Sequence, residues 1–458
     1  MTSGISVSPG LGTGAGTGRG ASWRSRVDPG TTPGRLRLVL ILLVLLSMAW
    51  GALATLTAYQ HASAAADVVG ISEPLSLDAE QIYENLSDAD DTATHAFLSG
   101  GLEPAASLQR YNADIASAAV RIEAATALVG GTAARTQVPA REASAAGPAT
   151  GDDLAILSAD LPVYTGEVQT AQADNRIGLP LGAAYLREAS ALLRGQLLTS
   201  ADDIYTRENV LLTSASAQAT GLPLMVVTVA VGLGLGYVLF RSWRWLARNT
   251  HRVVNYGLLV ALVAGLASIV WLGAAFVVAR ADLLHAQQYG SAPAEAFARA
   301  DVVALRMHAD ESLTLIDNSG DDGFQQDFVS GQKLLGPDPG TLLAAVQSSP
   351  GAASGSASAA AADAQAWYRA HSLLRGLDDN GNHQAAVQSA LTGAAASQFS
   401  LLSTALGNGI TAGQTSFAAS ARSGRQAFTG LAAGMVVASL VMVTGCVWGL
   451  NRRLAEYR

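Results

Sequence analysis

Four stretches of the chain carry no Asp, Glu, Lys or Arg: about 38–58, 222–240, 254–279 and 428–450. Each is about 19 to 26 residues long, or roughly 28 to 39 Å as helix, against a hydrocarbon core of roughly 30 Å. Four such runs predict four transmembrane helices. The two long segments between the spans have a different pattern. In the first, Ile82, Leu86, Ala89, Ala93 and Phe97 recur at steps of four, three, four and four, which draws one apolar face on a helix. Gly100, Gly101 and Pro104 end that helix. Further helices are predicted over about 106–129, 153–177, and from about 183 into the second span, with Leu161-Pro162 a candidate break. "GGTAARTQVPAREASAAGPATGDD" (Gly130 to Asp153) reads as a loose connection and "GLPLG" (Gly178 to Gly182) as a turn. The second long segment follows the same plan. A helix runs to about Ile316, "DNSGDDG" (Asp317 to Gly323) is a turn, and a weaker helix ends near "GPDPG" (Gly336 to Gly340). "SSPGAASGSASAA" (Ser348 to Ala360) is a loose link, and "LDDNGN" (Leu377 to Asn382) is the last turn. No sustained alternating β-branched pattern occurs, so the fold class is all-α.

The two halves also share residues. "SDADDTATHAFLSGG" (Ser87 to Gly101) and "HADESLTLIDNSGD" (His308 to Asp321) align at an offset of 220, where Ala89, Asp90, Thr94, Ser99 and Gly100 meet Ala309, Asp310, Thr314, Ser319 and Gly320. The same offset superposes the first span on the third. An internal duplication is expected, with each half reading span, helix, turn, helix, loose link, helix, turn, helix, span. Four antiparallel helices bury an amphipathic face together, so two duplicated extracytoplasmic domains resembling four-helix bundles are expected.

Charge sets the expected orientation. Arg19, Arg24, Arg26, Arg35 and Arg37 precede the first span, Arg241, Arg244, Arg248 and Arg252 lie between the second and third, and Arg452, Arg453 and Arg458 follow the fourth. Acidic residues outnumber basic ones in the long segments, 21 to 8 in 59–221. Positive segments stay inside. The expected organisation is a disordered basic cytoplasmic tail (1–37), span (38–58), bundle (59–221), span (222–240), basic cytoplasmic link (241–253), span (254–279), bundle (280–427), span (428–450) and cytoplasmic tail (451–458). "ALA" at 52–54 has the form of a signal-peptide cleavage site. The long apolar run and the 37-residue basic tail before it favour a retained span. Cys446, the single cysteine, lies inside the fourth span, so disulfides cannot hold the exported segments.

Chemistry is sparse. The seven His residues show no metal-ligand spacing, and there is no phosphate-binding loop, kinase motif set or nucleophile elbow. "DDNGNH" (Asp378 to His383) lacks the last acid of a calcium loop, since position 389 is Ser. No enzymatic activity, cofactor, metal or nucleic-acid partner is expected. Asp90-Asp91 and Asp310-Glu311 read as a solvated helix face, with a cation or a partner's basic group as the sharper alternative. Uncharged spans argue against transport. Gly430/Gly434 and Gly445/Gly449 have the spacing that lets helices pack closely, and a homo-oligomer is compatible with this organisation. "RSWRWLARNTHR" (Arg241 to Arg252) sets Trp243 and Trp245 among arginines, as a topology signal or as a docking face for a cytoplasmic partner.

"LSDADDTATHAFLSGG", "LPVYTGEVQTAQADNRIGLPLGAAYLREASALLRGQLL" (Leu161 to Leu198) and the link after Phe240 together resemble the GlnX family of actinobacterial membrane proteins. The resemblance runs from the first span to the C-terminus. It implies a role between a GlnH-like exported amino-acid-binding lipoprotein and a PknG-like cytoplasmic Ser/Thr kinase, as a non-enzymatic relay. No residue-level site comes with it. From chemistry and position, Tyr164, Asn175, Arg176, Tyr185 and Arg187 are candidates for holding a ligand or partner, with Arg as the carboxylate donor. Arg241, Trp243, Arg244, Trp245, Arg248, Arg252, Arg452 and Arg453 are candidates for the cytoplasmic face. Alternatives are a receptor whose bundle binds a small molecule directly and a structural membrane scaffold.

Overall fold

The computed structural model describes residues 32–67, 73–101, 103–135, 147–219, 222–250, 255–317 and 322–454, and the described residues form helices and turns without strands. The helices are α1 (Thr32–Asp67), α2 (Glu73–Leu98), α3 (Ala105–Arg135), α4 (Gly147–Arg176), α5 (Leu181–Leu192), α6 (Leu198–Ala219), α7 (Leu222–Thr250), α8 (Tyr256–Ala286), α9 (Ala292–Ile316), α10 (Gly323–Leu335), α11 (Leu342–Gln347), α12 (Ser354–Asp379), α13 (His383–Thr392), α14 (Ala394–Ala427) and α15 (Leu431–Leu454). Single π-helical turns, Leu193–Leu197 and Gln287–Ser291, join α5 to α6 and α8 to α9. Two units result. One comprises the described residues within 1–55, 226–271 and 433–458, and the other those within 56–225 and 272–432.

The first unit is built from the apolar runs. Four helices are long and apolar enough to cross a membrane, and large apolar side chains such as Leu42, Leu45, Val263 and Leu440 point outward. Surfaces of that kind are stable only in lipid or against a partner, and the chain is a multi-pass membrane protein. Small residues set its packing. A Cβ on Gly257 of α8 would lie 2.5 Å from the Gly445 carbonyl oxygen and from the Gly449 backbone of α15. Bare backbones therefore touch there, and Asn255 Nδ2 donates to the Gly449 carbonyl at 3.0 Å. The Gly445/Gly449 spacing is thus part of a helix–helix contact. Trp50 is buried, and its indole N–H donates to Ser268 Oγ at 3.2 Å.

The second unit contains both long segments, which do not stand apart. In the first half α2 packs on α3 and α6, and α4 on α5 and α6; in the second, α14 packs on α9 and α12, and α10 on α9. The halves join where α2 lies along α9. Ile82, Leu86, Ala89 and Ala93 are buried in the first core, with Phe97 at its margin, as the periodicity predicts. Leu313 of α9 belongs to that same core, so the second half completes it.

Several loops expected from composition are helical instead. Arg135 ends α3 and Gly147 begins α4, so helix takes both ends of the 130–153 connection, whose middle (136–146) lies outside the described residues. Pro162 sits within α4 without ending it. The stretch 348–360 forms a short 3₁₀ turn and the start of α12, where Ala357 and Ala360 are buried. Alanine is the strongest helix former, and burial of its methyl offsets the cost of interspersed Gly and Ser.

Candidate functional site: a buried polar network between the halves

The acidic repeat does not face solvent. Asp90, Asp91, Asp310 and Glu311 are all buried, which overturns the reading of a solvated helix face. The 3.6-residue period that puts Ile82 and Leu86 into the core also turns these acids toward the α2–α9 seam. The acids do meet basic groups, but those groups come from this chain.

Arg194 lies in the π-helical turn after α5. Its Nη1 donates to Asp310 Oδ1 at 2.6 Å, and Nη2 lies 3.7 Å from Asp90 Oδ2. Ser190 Oγ donates to Asp90 Oδ1 at 2.7 Å, and the Tyr164 phenol borders the same carboxylate. One cation therefore bridges matching acids from the two halves. Burial raises the Asp90 carboxyl above its usual range, with Arg194 opposing the shift, and raises that of Asp310 to about 6 against the same opposition. Burial also disfavours the charged Arg194, but the two carboxylates outweigh it and its pKa rises.

The next pair of acids meets imidazoles. His308 Nδ1 donates to Asp91 Oδ1 at 2.5 Å, and His371 Nδ1 lies 2.6 Å from Glu311 Oε2. Both rings are buried and stacked, His308 on Phe399 at 3.8 Å and His371 on Phe328 at 3.5 Å between centroids. Burial would lower the His308 pKa, but Asp91 outweighs it and the pKa is raised. His95 is stacked on His308 at 5.1 Å, and burial, then His308, lower its pKa.

The five residues picked out from the first segment do not share one pocket. Tyr164 is fully buried and joins the network through Asp90; burial, then Asp90, raises its phenol well above the usual range. Arg187 pairs with Asp317 at 3.1 Å, another link between the halves. Tyr185 packs at the edge of the first core. Asn175 Nδ2 donates to the Phe97 carbonyl at 2.9 Å, capping the end of α2, and Arg176 is exposed beside it. Arg194, His308 and His371 were missed by sequence reasoning. The one available signal was Arg194 itself, a lone charge in "LLRGQLL".

Arg241, Trp243, Arg244, Trp245 and Arg248 lie on α7, which continues to Thr250, so this part of the link is helix. Arg241, Arg244 and Arg248 are exposed, Trp243 and Trp245 are half-buried, and Trp243 packs 5.9 Å from Phe240. Arg452 is exposed on α15. Arg252 and the side chain of Arg453 lie outside the described residues.

Elsewhere on α2, Glu80 borders a cleft of about 470 Å³ with Tyr83, Tyr205 and Glu295. Its Oε1 is buried without a hydrogen-bond partner, and burial, then Glu84 and Glu295, push the carboxyl up to about 7.

No curated protein matches the chain at a significant level. Residues 64–217, from the last turn of α1 to the end of α6, match the family model of the actinobacterial sensor domain. The Asp90, Asp91, Ser190 and Arg194 side of the network lies inside the matched segment, and a sensing role follows from the match.

Proposed function

We propose that the chain is a non-enzymatic transmembrane relay that passes amino-acid availability from an exported, GlnH-like binding lipoprotein to a cytoplasmic, PknG-like Ser/Thr kinase. The carrying observation is the sensor-domain match to a segment flanked by membrane-spanning helices. In this proposal both termini and the 241–253 link are cytoplasmic, because arginine concentrates there. The segments 59–221 and 280–427 are outside. Asn175 and Arg176 at the α4–α5 turn, with Tyr185 and Arg187, receive the binding protein. Arg241, Trp243, Arg244, Trp245, Arg248, Arg252, Arg452 and Arg453 face the kinase.

A relay requires two conformations that its partner binds with different affinity. The α2–α9 seam suits such a role. Its charges are buried and mutually dependent, so a shift of one helix against the other would disturb every pair at once.

Photo-crosslinking in living cells tests the proposal. Probes replace Asn175 and Trp243, and captured proteins are identified by mass spectrometry. Capture of an exported solute-binding protein at 175 and a kinase at 243 is expected. Capture of neither by a well-expressed protein rejects the relay.

A further inference from the structure

A second cleft, of about 430 Å³, opens beside the buried network, between α2 and α3 of the first half and α9 and α14 of the second. Two basic side chains line it from opposite halves, Arg110 and His308. Each is backed by its own carboxylate. Arg110 donates through Nε (3.2 Å) and Nη2 (2.7 Å) to Asp88, and His308 donates through Nδ1 to Asp91. A carboxylate behind a donor fixes its orientation and raises its basicity. Both donors keep an edge in reserve. Arg110 Nη1 makes no hydrogen bond among the described residues, and His308 Nε2 is buried with no partner.

A buried polar atom left without a partner costs about 1–3 kcal/mol and is rare without a reason. Arg110 also opposes the protonation of His308. An anion between them would relieve both costs. The remaining wall suits a small polar molecule, with hydroxyls from Ser107, Ser400 and Ser403 and the Phe399 ring.

We propose that this cleft binds a small carboxylate-bearing molecule directly, with Arg110 Nη1 and His308 Nε2 as its donors and the serine hydroxyls at its rim. The contact spans both halves of the unit, so occupancy favours whichever arrangement of α2 against α9 closes the two donors onto the ligand. This goes beyond the relay and does not depend on any partner protein.

The test uses the full chain, purified in detergent and dialysed free of carboxylate buffers. Isothermal titration is run with acetate, succinate, citrate, the free amino acids, and uncharged succinamide. Saturable binding of at least one carboxylate is expected, with succinamide inert. Arg110→Gln should weaken it by about tenfold or more, the scale of one charge-assisted hydrogen bond. Arg110 is 58% exposed, so this variant leaves the fold intact, which an unchanged unliganded melt verifies. His308→Gln should weaken binding similarly. Arg121→Gln, which removes a comparable ion pair between α3 and Asp78 of α2, should leave it unchanged. Absence of binding across the panel, equal binding of succinamide, or indifference to both Arg110→Gln and His308→Gln would overturn the proposal. None of those results touches the relay, which is judged by crosslinking. Binding here with no captured partner instead makes the chain its own receptor.

Discussion

Arg194 holds two carboxylates that would otherwise face each other across the seam. Removing one member of a buried ionic group costs about 3–5 kcal/mol, because the remaining charges lose their compensation. Arg194→Met should therefore lower the stability of the polar unit by about that amount, measured by chemical denaturation in detergent. The triple variant Arg194→Met, Asp90→Asn, Asp310→Asn should recover most of the loss. Glu80 behaves oppositely. Its carboxyl is raised to about 7 in the folded chain, so the folded state holds a proton that the unfolded state releases near 4.5. Its stability contribution is fully present below about 4.5 and is lost as pH rises through 7. Glu80→Gln should be more stable than the parent at pH 8 by about 1–3 kcal/mol and nearly equal to it at pH 4. Unfolding curves at the two pH values check this. The acids were visible in the sequence as a repeated motif, but their partners were not. Asp310 and Arg194 are separated by 116 residues, Asp91 and His308 by 217, and Glu311 and His371 by 60. Spacing along a helix reports which face a residue is on, not what another helix brings against it.

At the level of elements, the helices that share a face or a span were legible because period and length are local properties. Their ends were less so. Gly- and Ser-rich stretches read as links, but alanine between them carried the helix onward at 130–135, 147–153 and 354–360. Glycine acts in two ways in the spans, and a pair of variants separates them. Gly257 faces the bare backbone of α15, where neither Gly445 nor Gly449 can yield. Gly257→Ala should lower the melting temperature of the purified protein by several degrees, in line with a loss of about 1–3 kcal/mol from overpacking. A methyl group on Gly234 of α7 would meet nothing within 4 Å. Gly234→Ala should be neutral or stabilising by about 0.5–1 kcal/mol, through helix propensity alone. Thermal melts of both in the same detergent make the comparison.

For the molecule as a whole, the two polar halves depend on each other. Leu313 of the second half fills the first core, and Arg194 of the first half neutralises Asp310 of the second. Residues 59–221 expressed alone should therefore melt at lower temperature and with less cooperativity than residues 59–221 within the intact chain, as followed by circular dichroism and hydrogen exchange. An independently stable fragment would show that the seam is an ornament of two finished domains. The pairing across the seam is also not symmetric. At the offset of 220, His308 stands where the first stretch has Asp88. The mirror of the Asp91–His308 pair would thus set Glu311 against Asp88, acid against acid, and Glu311 turns to His371 instead. Two identical half-length subunits meeting along this helix would be forced to repeat whichever residue they carried, and an acid there would repel its twin. One continuous chain escapes that constraint, because covalent linkage lets matching positions take opposite charges.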